Sequence, residues 1–245
     1  MTYCVGLFLA DGLVLLADTR TNAGVDHIST FGKMHVVEVP GQRVLALLSA
    51  GNLAITQAVV ARLQEGVWLD GARRSLLDVD QMFHAAQLVG AAVRDVFARD
   101  GQALASQGVA FDCSFLLGGQ IAGGPPRLYL VYSAGNFIEA TEDTPFLQIG
   151  EVKYGKPILD RALTFETALA DGVKLVLVSM DSTLRSNLTV GMPIDLALIR
   201  TDGLRLALRR RITEEDAYFR FVRERWSAAL REAYVQLPAP DWLGD

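Results

Sequence analysis

The chain has few cysteines and no long apolar run, and each scarcity narrows what the protein can be. Two cysteines among 245 residues do not predict a disulfide framework, and they favour a reducing compartment. A membrane-spanning helix needs about 18 or more apolar residues in succession. Asp11 and Asp18 interrupt the apolar beginning of the chain, so neither a signal peptide nor a transmembrane helix is predicted. We therefore expect a cytoplasmic protein.

Positive charge and metal-ligand patterns are also scarce. The net charge of −5 argues against nucleic acid or an anionic membrane as the main partner. The run Arg209–Arg211 is basic, and we interpret it as a solvated strand end or a contact between subunits. His27, His35 and His84 lack the spacing of a metal site. No phosphate-binding loop or dinucleotide fingerprint occurs, so we expect neither a metal nor an organic cofactor.

Apolar residues are abundant, at 51% of the chain. No Pro/Ser-rich linker or charge block divides the sequence, so we predict a single domain over residues 1–245. The tail from about residue 237 carries two prolines, and we expect it to be loosely attached.

The apolar pattern predicts an α+β fold that starts with a hairpin. Apolar runs at 2–9 and 13–17 flank Asp11-Gly12, a pair that is typical of a hairpin turn. Further strands are predicted at 34–39, 43–49, 111–117, 127–132, 146–149, 194–200 and 204–210. Five helices are predicted. The first begins at residue 53, and the second runs from a cap at Asp78 to a cap at Gly101. The third and fourth cover 154–163 and 165–180, and the last begins at Thr213. The segment 165–180 also fits a buried strand by composition, but the residues that lead into it favour a helix. Residues 20–32 and 71–77 are predicted to be connections.

A chemical role for the chain start is available if Met1 is removed, which is common when residue 2 is small. Removal exposes an α-amine on Thr2, and this amine can act as the general base for the Thr2 hydroxyl. An α-amine has an ordinary pKa of about 7.7–8, and a nearby cation lowers that pKa. Lys33 can supply the cation and Asp18 can pair with Lys33. Thr2, Lys33 and Asp18 each also have a purely structural interpretation when taken alone. Cys4, which is also near the chain start, is interpreted as a small buried hydrophobe.

The combination of several segments resembles a proteasome-type β-subunit, and more narrowly the bacterial proteasome homologue Anbu, a relative of the HslV peptidase. The segments are Thr2, LVLLADTRTN at 13–22, Lys33, LLSAGN at 47–52 and MDSTLRSNLTVGMPID at 180–195. The resemblance implies an N-terminal-nucleophile hydrolase with a four-layer αββα sandwich. It also implies Thr2 as nucleophile and Asp18 and Lys33 as its tuning pair.

The resemblance implies further site residues. Gly51 stands where the family uses a backbone N–H as oxyanion donor. Asp181, Ser182 and Ser186 lie in a polar stretch, predicted to be a loop, where the family has residues that hydrogen-bond the terminal amine. The spacing of these three departs from the family's Asp-x-x-Ser pattern. Glu151 stands where the family has a serine, which is a second departure.

Three functions remain open at this point. The resemblance implies hydrolysis of peptide or amide bonds. The alternatives are an amidase or acyl-transferring enzyme for a small or modified amide, and a non-catalytic assembly subunit. The resemblance implies self-association of many subunits into a ring or an open spiral, and apolar residues beyond the main helix stripes agree with this. Those residues are Leu88, Ala92, Val96, Phe219, Phe221 and Leu230. No ATPase partner can be specified.

Overall fold

A computed structural model describes residues 1–23 and 27–243 of the protein. Its main strands form two five-stranded sheets, with order β12-β1-β2-β13-β14 in the first sheet and β11-β10-β9-β6-β5 in the second. The strands are β1 Tyr3–Leu9, β2 Gly12–Asp18, β3 Arg20–Ala23, β4 His27–Thr30, β5 Met34–Val39, β6 Arg43–Gly51, β7 Val67–Leu69, β8 Ala72–Arg74, β9 Cys113–Ile121, β10 Arg127–Val131, β11 Phe137–Glu139, β12 Phe146–Gly150, β13 Ile194–Arg200 and β14 Leu206–Ile212. The helices are α1 Leu53–Glu65, α2 Met82–Ser106, α3 Lys156–Ala162, α4 Leu169–Ser186 and α5 Ala217–Val235, followed by a 3₁₀ turn at Asp241–Leu243.

The chain start forms the centre of the first sheet because its side chains are apolar on both faces. On β1, Tyr3, Val5 and Leu7 face helices α3–α5. Cys4 faces the second sheet. The predicted hairpin is confirmed, with a two-residue turn after Leu9 that leaves Gly12 paired with it as the first residue of β2. A sheet that is apolar on both faces must be covered on both faces.

Three apolar layers therefore separate four layers of structure. Helices α1 and α2 pack on the second sheet. Side chains of both sheets meet in the middle, where Leu15 and Leu116 are fully buried. Helices α3, α4 and α5 pack on the outer face of the first sheet. The protein is an α+β sandwich with the layer order αββα, as the resemblance implies. None of the helices in the described residues is long and apolar enough to cross a membrane.

The two predicted connections contain short strands, a hairpin in 20–32 and β8 in 71–77, so these predictions are wrong. Strands β3 and β4 pair within residues 20–32, although residues 24–26 lie outside the described part. Strands β7 and β8 pair over the second connection. Strand β11 has three residues and had no periodic signal. Such short strands are too brief to show a period of two.

Several predicted helix ends are also wrong. Helix α2 begins at Met82, because the carboxylate of Asp78 accepts bonds from Ser75 instead of capping the helix. It continues through Gly101, against which the ring of Phe97 packs. Helix α5 begins after Asp216, whose side chain accepts the N–H of Phe219. The segment 165–180 is helical from Leu169 onward, in agreement with the preferred interpretation.

The apolar residues predicted to widen the helix stripes divide into two groups. Leu88, Ala92, Val96 and Phe219 are buried within the subunit, so that prediction is wrong for them. Phe221 and Leu230 are exposed on α5. Other exposed apolar side chains on or beside this helix are Tyr218, Tyr234, Val235 and Leu237.

Candidate active site

Thr2 directly precedes β1 and is held inside the fold. Its side chain is 7% exposed, whereas Met1 is 62% exposed. The carbonyl oxygen of Thr2 accepts the N–H of Glu151 at 2.6 Å. Gly150 has a φ of +81°, and a Cβ there would lie 2.0 Å from the Thr2 carbonyl oxygen. Only glycine allows the end of β12 to approach the chain start this closely.

Lys33 and Asp18 form a buried ion pair next to Thr2. The Nζ of Lys33 lies 2.6 Å from Oδ1 of Asp18 and donates a second bond to the carbonyl oxygen of Arg20, also at 2.6 Å. Asp18 additionally accepts the N–H of Tyr3 at 3.1 Å and the N–H of Gly191 at 3.2 Å. The loop between the two charged residues therefore folds back, as their proposed pairing requires.

Burial and charge act in opposite directions on this carboxyl group. Burial raises the pKa of Asp18 above its ordinary value, and the Lys33 ammonium together with the N–H donors of Tyr3 and Gly191 opposes the rise. The contacts of Asp18 are therefore made by protein groups and not by solvent, and loss of Lys33 leaves a buried carboxyl group without its counter-charge.

Gly51 ends β6 and lines the same region. The N–H of Asn52 donates to the carbonyl of Asp112, just before β9, and the N–H of Ser49 donates to the carbonyl of Lys33 on the other side of β6. Gly51 has a φ of +108°, and a Cβ there would lie 2.4 Å from the Asp112 carbonyl oxygen.

One pocket of about 690 Å³ joins these groups. It is lined by the chain start, the end of β6 and the beginnings of β3, α1 and β9. The lining residues are Met1, Thr2, Thr21, Asn22, Lys33, Ser49, Ala50, Gly51, Asn52, Leu53, Thr56, Asp112, Ser114 and Gly150. Among the described residues, no group of three or more His, Cys, Asp and Glu side chains is suited to a metal ion.

The amine at the chain start lies in the field of three buried charges. Burial lowers the pKa of the Met1 amine below its ordinary value, and Lys33 lowers it further. Asp18 and Glu151 oppose these effects and raise the pKa. By contrast, burial raises the pKa of the Cys4 thiol, which therefore stays protonated. Cys4 is packed between the sheets, where it acts as a small hydrophobe.

The structure does not bring Asp181, Ser182 and Ser186 to the pocket. They lie in the last turns of α4 and not in a loop, so that prediction is wrong. The carboxylate of Asp181 accepts bonds from Arg185 at 3.0 Å and from Arg223 of α5 at 2.7 Å. Ser182 is half-buried and Ser186 is exposed. Asp181 therefore ties two outer helices together.

Sequence reasoning missed the segment that does reach the chain start. Asn187 ends α4 and its side chain donates to Glu151 at 2.8 Å. Four residues later, Gly191 donates its N–H to Asp18. The asparagine in the stretch RSNLT was a signal, since Asn is common where a helix gives way to a turn.

No family model and no curated protein matches the chain, whereas solved structures do. The stacked sheets between helix layers, with a threonine near the chain start, define an α+β sandwich of the N-terminal-nucleophile hydrolase type.

A structure from Pseudomonas aeruginosa, described as the helical assembly of the Anbu complex, is 53% identical, with 99% of this chain and 100% of that chain covered and a TM-score of 0.92. Anbu (ancestral beta-subunit) from Yersinia bercovieri is 48% identical, with 99% and 100% covered and a TM-score of 0.90. The Anbu (Gly-1) mutant from Hyphomicrobium sp. strain MC1 is 48% identical, with 98% and 100% covered and a TM-score of 0.90. The chain belongs to the Anbu family of proteasome β-subunit relatives.

Proposed function

We propose that the protein is an N-terminal-threonine hydrolase of peptide or amide bonds, with Thr2 as its nucleophile after removal of Met1. The observation that carries the proposal is the pocket, in which Thr2, Lys33 and Gly51 meet although they come from three separate parts of the chain. Met1 is exposed and Thr2 is not, so the bond that must be cleaved lies at the mouth of the pocket.

The chemistry follows from the position of each group. The free amine of Thr2 takes the proton of its own Oγ, and Oγ attacks the substrate carbonyl. Negative charge develops on the carbonyl oxygen, where the N–H of Gly51 can donate to it. A donor of this kind lowers the barrier by about 3–4 kcal/mol. The ammonium then protonates the leaving amine, and water hydrolyses the ester on Thr2 to restore the enzyme.

Lys33 acts on the base and not on the substrate. Its ammonium group lowers the pKa of the Met1 amine, and the same charge beside a free Thr2 amine leaves more of that amine as free base near neutral pH. Asp18 keeps Lys33 in place through the 2.6 Å ion pair. The arrangement needs no metal or organic cofactor. We propose that residues 1–245 form a single hydrolase domain. We also propose that the protein is located in the cytoplasm.

Self-association is the second part of the proposal. Helix α5 leaves several apolar side chains exposed, among them Tyr218, Phe221 and Leu230, which one subunit does not cover. The relative from Pseudomonas aeruginosa is described as a helical assembly. We propose that this chain assembles into an open spiral of many copies through contacts that repeat without closing.

A peptide library tests the activity. The purified chain, with the loss of Met1 checked by intact mass, is incubated with the library and the cleaved products are identified. Thr2→Ala should abolish every cleavage, while Thr141→Ala, which changes an exposed turn threonine, should leave all of them. If Thr2→Ala keeps the cleavages, Thr2 is not the nucleophile. If the wild-type chain without Met1 cleaves neither peptides nor small amides, the non-catalytic assembly subunit is the correct reading.

A further inference from the structure

Glu151 is a buried carboxylate that the proposed reaction does not use. It is 6% exposed and directly follows Gly150, at the end of the strand that pairs with β1. Its backbone N–H donates to the Thr2 carbonyl oxygen at 2.6 Å, so the two residues are neighbours across the sheet. The family resemblance implies a serine at this position. An anionic side chain beside the nucleophile therefore calls for a role of its own.

The Glu151 carboxylate is held by two donors. Asn187 donates to Oε2 at 2.8 Å, and the Nζ of Lys153 lies 3.4 Å from Oε1. The amide of Asn187 is itself oriented, because its oxygen accepts the N–H and the hydroxyl of Thr189 at 2.9 Å and 2.5 Å. That oxygen assignment leaves the NH₂ group for Glu151. The carboxylate is thus fixed in place and is not a mobile surface group.

The same segment also holds the other carboxylate near the chain start. Asn187 contacts Glu151, and Gly191 donates its N–H to Asp18. Both acids are thus joined to the chain start, Glu151 through the Thr2 carbonyl and Asp18 through the N–H of Tyr3, and Asp18 pairs with Lys33 at 2.6 Å. Lys153, which pairs with Glu151, lies farther from its partner, at 3.4 Å, and is two-thirds exposed. It therefore neutralises the charge of Glu151 less than Lys33 neutralises that of Asp18.

We propose that Glu151 is the positioning residue for the Thr2 amine, and that its anchored carboxylate, next to Thr2 at the end of the sheet, orients the ammonium group. This inference rests on the proposed function, since the amine exists only after Met1 has been removed. Glu151 is not a catalytic residue in this scheme, because it acts on the reacting oxygen only through the amine.

The carboxylate also acts on the pKa of the amine, in a direction that the charges around the amine determine. In the chain that retains Met1, Glu151 and Asp18 raise the pKa of the Met1 amine, while burial and Lys33 lower it, and each charge acts with the same sign on an amine at Thr2. Among the described residues, other charged groups near the site include Lys153 and Arg20 on the neighbouring loop and strand, and Asp112 at the pocket wall. Removal of the Glu151 charge must therefore lower the pKa of the amine and free the base at lower pH.

The test measures the amine directly and does not depend on turnover. The chain is produced as a fusion and cleaved to begin at Thr2, and its amine is labelled with trace acetic anhydride across a pH series. Mass spectrometry of the N-terminal peptide gives the titration midpoint. We expect Glu151→Gln to shift the midpoint to lower pH and Glu151→Asp to restore most of it. Asp160→Asn makes the same change in net charge at an exposed pair on α3 and should not move the midpoint.

A surface variant covers the case in which Glu151→Gln does not fold. Lys153→Met alters an exposed side chain and leaves Glu151 without its cation, so the midpoint should move to higher pH. An unchanged midpoint in Glu151→Gln, or in Lys153→Met when the former does not fold, would overturn the role of Glu151. A shifted midpoint in a protein that hydrolyses nothing would refute the proposed function and leave this inference standing.

Discussion

Replacement of Lys33 by methionine should destabilise the protein strongly, because it removes one partner of a buried ion pair. The two side chains are 5% and 0% exposed, and their charged atoms lie 2.6 Å apart. Breaking such a pair from one side costs roughly 3–5 kcal/mol. In a chain of this size that corresponds to about 6–20 °C in Tm. Methionine keeps the length of the side chain, so the loss is electrostatic and not a cavity.

The size of the loss should depend on pH in a defined direction. In Lys33→Met, burial raises the pKa of Asp18 without a cation to oppose it, so the folded state binds a proton that the unfolded state does not. Stability therefore increases as the pH falls through the folded-state pKa. The deficit should be larger at about pH 8 than at about pH 5. The double variant Asp18→Asn with Lys33→Met has no charge to titrate and should show no such dependence.

Thermal and urea unfolding at a fixed protein concentration measure this prediction. Lys156→Met serves as the matched control, since Lys156 pairs with Asp160 at the same 2.6 Å on the surface. An exposed pair contributes about 0–1 kcal/mol, so this control should be close to the wild type. Equal losses of stability in Lys33→Met and Lys156→Met would contradict this prediction. A loss of stability in Lys33→Met that grows towards low pH would contradict it as well.

Four further outcomes are expected. Lys33→Ala should lose most activity and move the acid limb of the pH–rate profile to higher pH, because the amine pKa rises when the cation is gone; normal turnover with an unchanged profile would make Lys33 a structural residue. Gly51→Ala should lower kcat and stability together, since a Cβ at that φ meets the Asp112 carbonyl; full activity would argue against a backbone oxyanion donor. Asp181→Asn should lower Tm and leave the pH–rate profile in place, and a shifted profile would return Asp181 to the site. Phe221→Glu should reduce the assembly seen by light scattering, and a wild-type monomer or dimer across a tenfold dilution would contradict the proposed spiral.

The sequence was sufficient where a signal is local and strong. The first hairpin follows from two apolar runs around a two-residue turn, and β1 and β2 are where that pattern predicts them. The α+β class also follows from the strand and helix patterns, whereas the αββα layer order was implied by the family resemblance. Asp18 and Lys33 were predicted to pair, and their atoms are in contact.

The sequence was insufficient where tertiary contacts decide. Asp181 looks like a loop residue because polar side chains surround it, but Arg185 and Arg223 keep it helical and buried. The local sequence marks Asn187 only as a possible helix end, and its contact with Glu151, which lies 36 residues earlier, cannot be read from it. The cap predicted at Asp78 failed for a local reason, since Ser75, three residues earlier, competes for its carboxylate.

The central claim, that Thr2 carries the reacting hydroxyl after Met1 is lost, can be tested by the mass of one peptide. The wild-type chain is incubated with an activated ester of a short peptide and digested with trypsin, and the N-terminal peptide, which ends at Arg20, is weighed and fragmented. We expect a peptide that begins at Thr2 and carries the acyl group on that residue. A peptide that retains Met1 in full, or an acyl group placed on any other residue, would contradict it.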